Sequence, residues 1–263
     1  MALFKTKKQF VHKHTIIVNS IPKAGTNLLL NTVTSIPNTV RKGDCSLAQR
    51  YYSPASKFEY ITKQIKELKP GFVYSGHIPY FPQYDQWLTA NKIKQVFIYR
   101  DPRAVVVSAF YFILEMRKER QLNYNLLKNG TSNEDKLLDL IYGIGKGKNE
   151  LIADEENLAG IKHVFEGYRP WLKNENTLAL KYEDIMKGGG EMTKKILTFL
   201  NFSDKFELDM AEDIYMRGAN PSKSHTFRKG GSEEWKKEIT GEREIAFRKV
   251  MPESLLNEYG YTL

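Results

Sequence analysis

The chain has 263 residues, enough for one large α/β domain or two small ones, and its 41% hydrophobic and 27% charged residues read as an ordinary globular protein rather than a disordered or fibrous one. The longest apolar stretches, such as 104–107, are far short of the about 18 residues a membrane helix needs, and residues 1–14 carry lysines but no apolar signal core. The 40 Lys and Arg exceed the 31 Asp and Glu by 9, which favours an anionic partner: nucleic acid, a membrane surface or a phosphorylated small molecule.

One cysteine, Cys45, excludes an internal disulfide and suits a reducing compartment, so a soluble cytoplasmic protein is expected. Most of the basic residues are spread along the chain as solvated surface, with modest clusters at 5–13 and 228–237. There is no arginine-rich arm or RNP-like aromatic motif. No repeat, low-complexity block or linker interrupts the sequence, and we read residues 1–263 as a single domain.

In chain order, β-branched and aromatic runs predict buried strands at 14–19 (HTIIVN), 71–75 (GFVYS), 95–100 (QVFIYR) and 177–182 (TLALKY). Apolar residues at helical spacing predict helices over 26–33, 57–68, 103–120, 134–142, 156–173 and 191–200. Strands alternating with helices predict an α/β sandwich, a central parallel sheet with both faces covered. Ligands bind such sheets at the carboxyl ends of the strands, where loops meet helix N-termini.

The first predicted strand runs into Ser20-Ile21-Pro22-Lys23-Ala24-Gly25-Thr26-Asn27 and directly into a helix, a phosphate-loop layout. Gly25 lets the backbone approach an anion closely, the N–H groups of Gly25 to Asn27 point at it, and Lys23 adds a mobile positive charge. A Walker A loop has its lysine after the second glycine; here Lys23 precedes the only one, which argues against a nucleoside triphosphate with magnesium. On its own the segment equally describes a plain strand–turn–helix with a Thr or Asn cap.

The third strand ends in Arg100-Asp101-Pro102-Arg103. Pro102 starts a helix and leaves Arg100 at the sheet edge, where a guanidinium binds phosphate bidentately and the helix-borne Ser108 could add a donor. Asp101 and Arg103 read as capping and neutralising one another. Further on, Arg228-Lys229-Gly230-Gly231 is a basic, glycine-flanked loop suited to folding over an anion, or equally a solvated turn.

Together, Pro22-Lys23-Ala24-Gly25-Thr26, Arg100 with Ser108, and Arg228-Lys229-Gly230 resemble the cofactor motifs of the cytosolic-type sulfotransferase family, in the same order. The resemblance implies 3′-phosphoadenosine 5′-phosphosulfate (PAPS) as donor and adenosine 3′,5′-bisphosphate (PAP) as product. It implies Lys23, Ala24, Gly25, Thr26 and Asn27 around the 5′-phosphosulfate, and Arg100, Ser108, Arg228, Lys229 and Gly230 at the 3′-phosphate. Tyr182 matches the family's adenine-contacting tyrosine. The segment Gly76-His77-Ile78-Pro79 is similar to the family's His-x-Pro segment, which implies that His77, on a glycine hinge at a strand end, is the general base; its ordinary pKa of about 6.5 suits that task. Lys23 would neutralise charge on the departing oxygen. The family calls for no metal, and no carboxylate or His/Cys cluster in the sequence suggests one.

The sequence departs from the family pattern at three places. Asn27-Leu28 stands where many members have Thr-Trp, so Leu28 offers adenine an apolar face in place of a stacking ring. Glu233 replaces a glycine of the basic loop's pattern, and Gly241 follows Thr240 where many animal members have valine. No oligomeric state is predicted. The expected reaction is sulfuryl transfer to a hydroxyl or amine of a small-molecule acceptor, without nucleic acid or membrane as partner. Rival readings are a P-loop-type small-molecule kinase, a basic nucleic-acid-binding module without enzymatic activity, and a nucleotide-binding sulfotransferase-like fold without turnover. Residues Tyr51, Tyr52, Phe58, Tyr60, Tyr80, Phe81, Tyr111 and Phe112 are candidate walls of an apolar acceptor pocket, or core. Asp154, Glu155 and Glu156 would equally suit a cationic acceptor.

Overall fold

The β-branched runs form the sheet. β1 (Ile16–Ser20) is buried along its whole length, and it lies between β3 (Phe72–Gly76) and β4 (Lys94–Tyr99). β5 (Thr177–Lys181) pairs outside β4, and β2 (Val40–Ser46) outside β3, giving the order β2-β3-β1-β4-β5 with all pairs parallel. The computed structural model describes residues 15–46, 72–116, 127, 135–146, 148–149, 157–202, 209–220 and 233–263. Among them no helix is long and apolar enough to cross a membrane.

The period-two alternation of the strands divides the core in two. Ile17, Tyr74 and Phe97 face one side of the sheet, where they meet α2 (Pro82–Ala90), α3 (Pro102–Tyr111), α4 (Lys136–Tyr142) and α5 (Ile161–Tyr168). The C-terminal helices α10 (Glu242–Val250) and α11 (Glu253–Glu258) join them through Phe247, Leu255 and Leu256. Ile16, Val18, Val73, Val96 and Ile98 face the other side, against α1 (Thr26–Thr34), α7 (Gly189–Phe199) and α8 (Ala211–Gly218). Short helices α6 (Tyr182–Lys187) and α9 (Trp235–Glu238) complete the described elements. This is the expected parallel sheet with two covered faces.

Several boundaries differ from expectation for physical reasons. β2 has the sequence VRKGDCS, whose charged residues give no apolar signature; among the described residues it is an edge strand paired with β3, with a register shift between Arg41 and Ser46. The helix expected over 103–120 starts at Pro102 with Asp101 as its cap, and after Tyr111 it widens into a π-helical turn, Phe112–Met116. The one expected over 156–173 starts only at Ile161 and tightens to 3-10 geometry at Arg169–Lys173, where Pro170 lacks the amide an α-turn needs. Tyr182, expected in a strand, is the first residue of α6. Gly76 is not a hinge: it is the last residue of β3, paired opposite Asn19 and outside the positive-φ glycines. The helix expected over 57–68 lies outside the described residues.

One close approach fixes the helix that carries the phosphate-type loop. Gly218, at the end of α8, sits where a Cβ would lie 2.5 Å from Thr32 Cα and 2.6 Å from Thr32 N of α1, backbone atoms that cannot rotate away. Gly218→Ala should therefore overpack this crossing and cost about 1–3 kcal/mol. Thermal denaturation checks it, as a melting temperature lowered by roughly 2–12 °C.

Candidate active site

With β1 between β3 and β4, the carboxyl ends of β3, β1, β4 and β5 stand side by side, each about 4.8 Å from the next. They deliver, in that order, His77, the loop 21–25, Arg100 and Tyr182 to one edge of the sheet. After β1 the chain returns past β3 toward β2, whereas after β4 it moves outward to β5, so the β1/β4 boundary is the switch point where such sheets open a crevice.

The loop after β1 is tight. Ala24 N–H donates to the Ile21 carbonyl at 3.1 Å, and Lys23 and Gly25, on either side of Ala24, have positive φ of 69° and 109°. A lysine in the left-handed region is strained by about 1–2 kcal/mol, and such strain concentrates where a loop must hold a special shape. Gly25 is required twice over: by its φ, and because a Cβ there would lie 2.7 Å from Tyr182 Cδ2 and 3.1 Å from Ile98 Cδ1. The first helical bond of α1 runs from Leu29 N–H to the Gly25 carbonyl, so the amides of Thr26 to Leu28 form the positive end of the helix, at the loop. This concave backbone with a lysine on it fits an anionic group. Ala24 is buried, whereas Asn27 and Leu28 are half-buried, Leu28 against the α1-side core.

Arg100 follows β4 and lays its guanidinium over the Tyr182 ring, 4.4 Å from the centroid. Tyr182 thus touches the loop with one ring edge and Arg100 with its face. Burial pushes the Tyr182 phenol up, with Arg100 opposing, so it stays protonated near neutral pH. Lys23 holds its ammonium 3.6 Å from the centroid of Phe112, in the π-helical turn. Asp101 caps α3 through Arg103 N–H (2.8 Å) and takes the Arg103 guanidinium on both oxygens, at 2.9 and 2.8 Å, the mutual neutralisation expected of this pair. Ser108 is half-buried, about 9 Å along α3 from Pro102. Tyr261, near the C-terminus, donates to Glu183 at 2.6 Å and ties the residue after Tyr182 in place.

His77 stands directly after β3, half-buried, with Nδ1 3.1 Å from the Ser20 carbonyl and 3.0 Å from Ser20 Oγ. With Nδ1–H donating to this carbonyl, which can only accept, the lone pair of the neutral ring lies on Nε2. Ser20 Oγ is in turn 2.7 Å from Thr26 Oγ1. A chain of two hydroxyls therefore joins the imidazole to the first residue of α1.

The structure thus brings together Lys23, Gly25, Thr26, His77, Arg100 and Tyr182. Arg228, Lys229 and Gly230 lie outside the described residues, as do Tyr51, Tyr52, Phe58, Tyr60, Asp154, Glu155 and Glu156. Of the other aromatic candidates, Phe81 is core, Tyr80 hydrogen-bonds Asp85 and Tyr111 hydrogen-bonds Glu238. His163 pairs with Glu166 on α5, a structural role. Sequence patterns do not single out Ser20, Asn19 or Trp171, and they name Phe112 only as a candidate acceptor wall, not as the ring beneath Lys23. For Asn19 a signal existed, a lone amide closing an apolar strand; for Trp171 there was none, since its partner Ile78 is 93 residues away.

A profile for the sulfotransferase domain matches residues 13–257. The chain is 27% identical over 272 residues to 3-alpha-hydroxysteroid sulfotransferase of Cavia porcellus, spanning 94% of this chain and 86% of the relative. To sulfotransferase 2A1 of Homo sapiens it is 23% identical over 280 residues, spanning 96% and 88%. Its fold resembles that of a mouse sulfotransferase complexed with PAP, with TM-score 0.60 and 18% identity over 91% of this chain and 83% of the other. Retinol dehydratase in complex with retinol and PAP gives TM-score 0.60 and 15% identity over 97% and 83%. The profile match spans nearly the entire length, the described fold is the one these enzymes share, and the chain belongs to the sulfotransferase family.

Proposed function

We propose that this chain moves the sulfuryl group of PAPS to a hydroxyl of a small-molecule acceptor, with His77 as general base and Lys23 stabilising the departing oxygen. The observation that carries this reading is the hydroxyl chain from His77 through Ser20 to Thr26: it sets a base with its lone pair on Nε2 beside a loop shaped for an anion. PAPS, when bound, supplies a sulfur centre whose bond to the bridging phosphate oxygen breaks as the acceptor oxygen bonds to it. His77 Nε2 takes the acceptor's proton as that bond forms. Lys23, on its flexible stem, neutralises the charge that grows on the leaving oxygen, an interaction stronger in the transition state than in the ground state. The loop amides and the α1 N-terminus hold the 5′ end, and orientation supplies the remainder.

In this reading Arg100 and Ser108 hold the 3′-phosphate together with Arg228, Lys229 and Gly230, and Tyr182 contacts adenine beside Leu28. The names of relatives that act on hydroxysteroids support an alcohol acceptor, and the half-buried Phe112 beneath Lys23 supplies apolar surface for it. The single cysteine is consistent with a cytoplasmic enzyme.

At 100 times its dissociation constant, PAP should stabilise the fold by about 2.7 kcal/mol, seen as a raised melting temperature. A comparable rise with ATP and magnesium but none with PAP would favour the kinase reading. His77→Ala should lower turnover of an unactivated alcohol by about two to four orders of magnitude while PAP affinity stays nearly constant, because the base acts on the acceptor. Steady-state kinetics paired with calorimetry measure both, and wild-type turnover by the folded variant would remove His77 from this role.

For Arg100, a charge-assisted hydrogen bond of about 1.5–3 kcal/mol predicts that Arg100→Ala weakens PAP binding roughly 10- to 150-fold. Adenosine 5′-monophosphate, which lacks the 3′-phosphate, should lose little, and Ser108→Ala should act in the same direction more weakly. Calorimetric titration of both nucleotides decides this. Equal losses would mean that Arg100 serves mainly to hold Tyr182.

A further inference from the structure

Asn19 is wholly buried in β1 after the apolar run Ile16–Val18, and an amide in that position is costly unless its polar atoms are satisfied. It satisfies them across the sheet. Asn19 Nδ2 donates to the Ile78 carbonyl at 2.8 Å, while Asn19 Oδ1 accepts from Ile78 N–H at 2.8 Å and from Ser20 N–H at 2.9 Å. Both backbone polar groups of the residue after His77 are thus paired with one side chain.

The location explains the need. The β1–β3 ladder ends with Asn19 opposite Gly76, where β3 itself ends, while β1 runs one residue further to Ser20 beside Ile98 of β4. The side-chain amide of Asn19 has the same donor and acceptor as a peptide group, and it joins β1 to the chain leaving β3 one step beyond the last backbone pair. Trp171 reinforces it from the 3-10 turn: its indole N–H donates to the Ile78 carbonyl at 2.9 Å, and the Tyr80 ring meets the indole edge-on at 4.9 Å. Tyr80 N–H donates to the Gly167 carbonyl at 2.7 Å. His77 is therefore suspended between Gly76, held by the sheet, and Ile78, held by Asn19 and Trp171.

We infer that Asn19 is a positioning residue for His77: by clamping Ile78 to the end of β1, with Trp171 in support, it keeps imidazole Nδ1 on the Ser20 carbonyl and aims Nε2 at the acceptor hydroxyl. The inference rests on the reading of His77 as the base. It separates from a purely structural role because a misaimed base matters only where a proton must be removed. An alcohol needs the base in the transition state; an acidic nitrophenol, already ionised at neutral pH, does not.

The experiment compares Asn19→Ala, His77→Ala, the double variant and Trp171→Phe with the wild type, using PAPS with an alcohol and with a nitrophenol as acceptors, and PAP titration to verify the folded site. Asn19→Ala should lower alcohol turnover roughly 10- to 100-fold, change nitrophenol turnover less than about 3-fold, and leave PAP affinity within about 3-fold of the wild type. In the His77→Ala background the same substitution should add almost nothing, the non-additivity of two residues acting through one group. Trp171→Phe, which removes the indole donor together with part of a buried ring from a carbonyl that Asn19 still holds, should show the same alcohol-selective loss to a smaller extent with PAP affinity kept, and it carries the test if Asn19→Ala does not fold. Equal losses with both acceptors, a further loss in the His77→Ala background, or unchanged alcohol turnover would each overturn the inference. Wild-type alcohol turnover by His77→Ala would instead overturn the base reading itself.

Discussion

Val18 pairs with Ser75 on one side and with Val96 on the other, and this parallel register of the central strand sets where the functional groups lie. All five strands point the same way, so every loop that leaves a carboxyl end emerges at one edge. Groups far apart in sequence, from the loop after β1 to Tyr182 after β5, become neighbours there without any element being built for that purpose. The β-branched side chains that hold the register are completely buried, so their spacing is protected by the same hydrophobic term that stabilises the fold.

At that edge, backbone shape and charge are arranged separately. The loop's concavity comes from the positive φ angles of Lys23 and Gly25, and its closeness to β5 comes from the missing side chain of Gly25 beside Tyr182. The cations rest differently. Lys23 and Arg100 lie on aromatic faces, whose attraction is of the order of 0.5–2 kcal/mol and competes weakly with a phosphate or sulfate. Arg103 is locked bidentately to Asp101 and also lies over Trp235, so it serves the helix start. Of these two arginines at the end of β4, Arg103 is paired with Asp101 while Arg100 rests on the Tyr182 ring.

Buried polar side chains do the aligning. Gln95, wholly buried in β4, joins Tyr84 of α2 to Thr177 of β5, and Asn19 joins β1 to the segment carrying His77. In a low-dielectric interior such groups cost a great deal if misplaced, which makes them more selective for one geometry than apolar contacts of similar size. The Ser20 hydroxyl is the meeting point: it receives the orientation of His77 on one side and of Thr26 on the other.

The sequence by itself determined the parallel α/β architecture and the positions of β1, β3, β4 and β5, because a strand covered on both faces must be apolar at nearly every position and that signature is local. It also located the strand–loop–helix around Gly25 and the strand-end placement of Arg100 and His77, since glycine and proline at short spacings constrain the backbone directly. It did not reveal β2, whose sequence VRKGDCS has no apolar run, nor the widening of the helix at Phe112. Only the tertiary structure decided that Asn19 would clamp Ile78 across 59 residues, that Trp171 would reach the same carbonyl across 93, and that Phe112 would lie under Lys23. These contacts depend on the register of the assembled sheet and on the direction of each side chain within it, and neither quantity is encoded within any one segment.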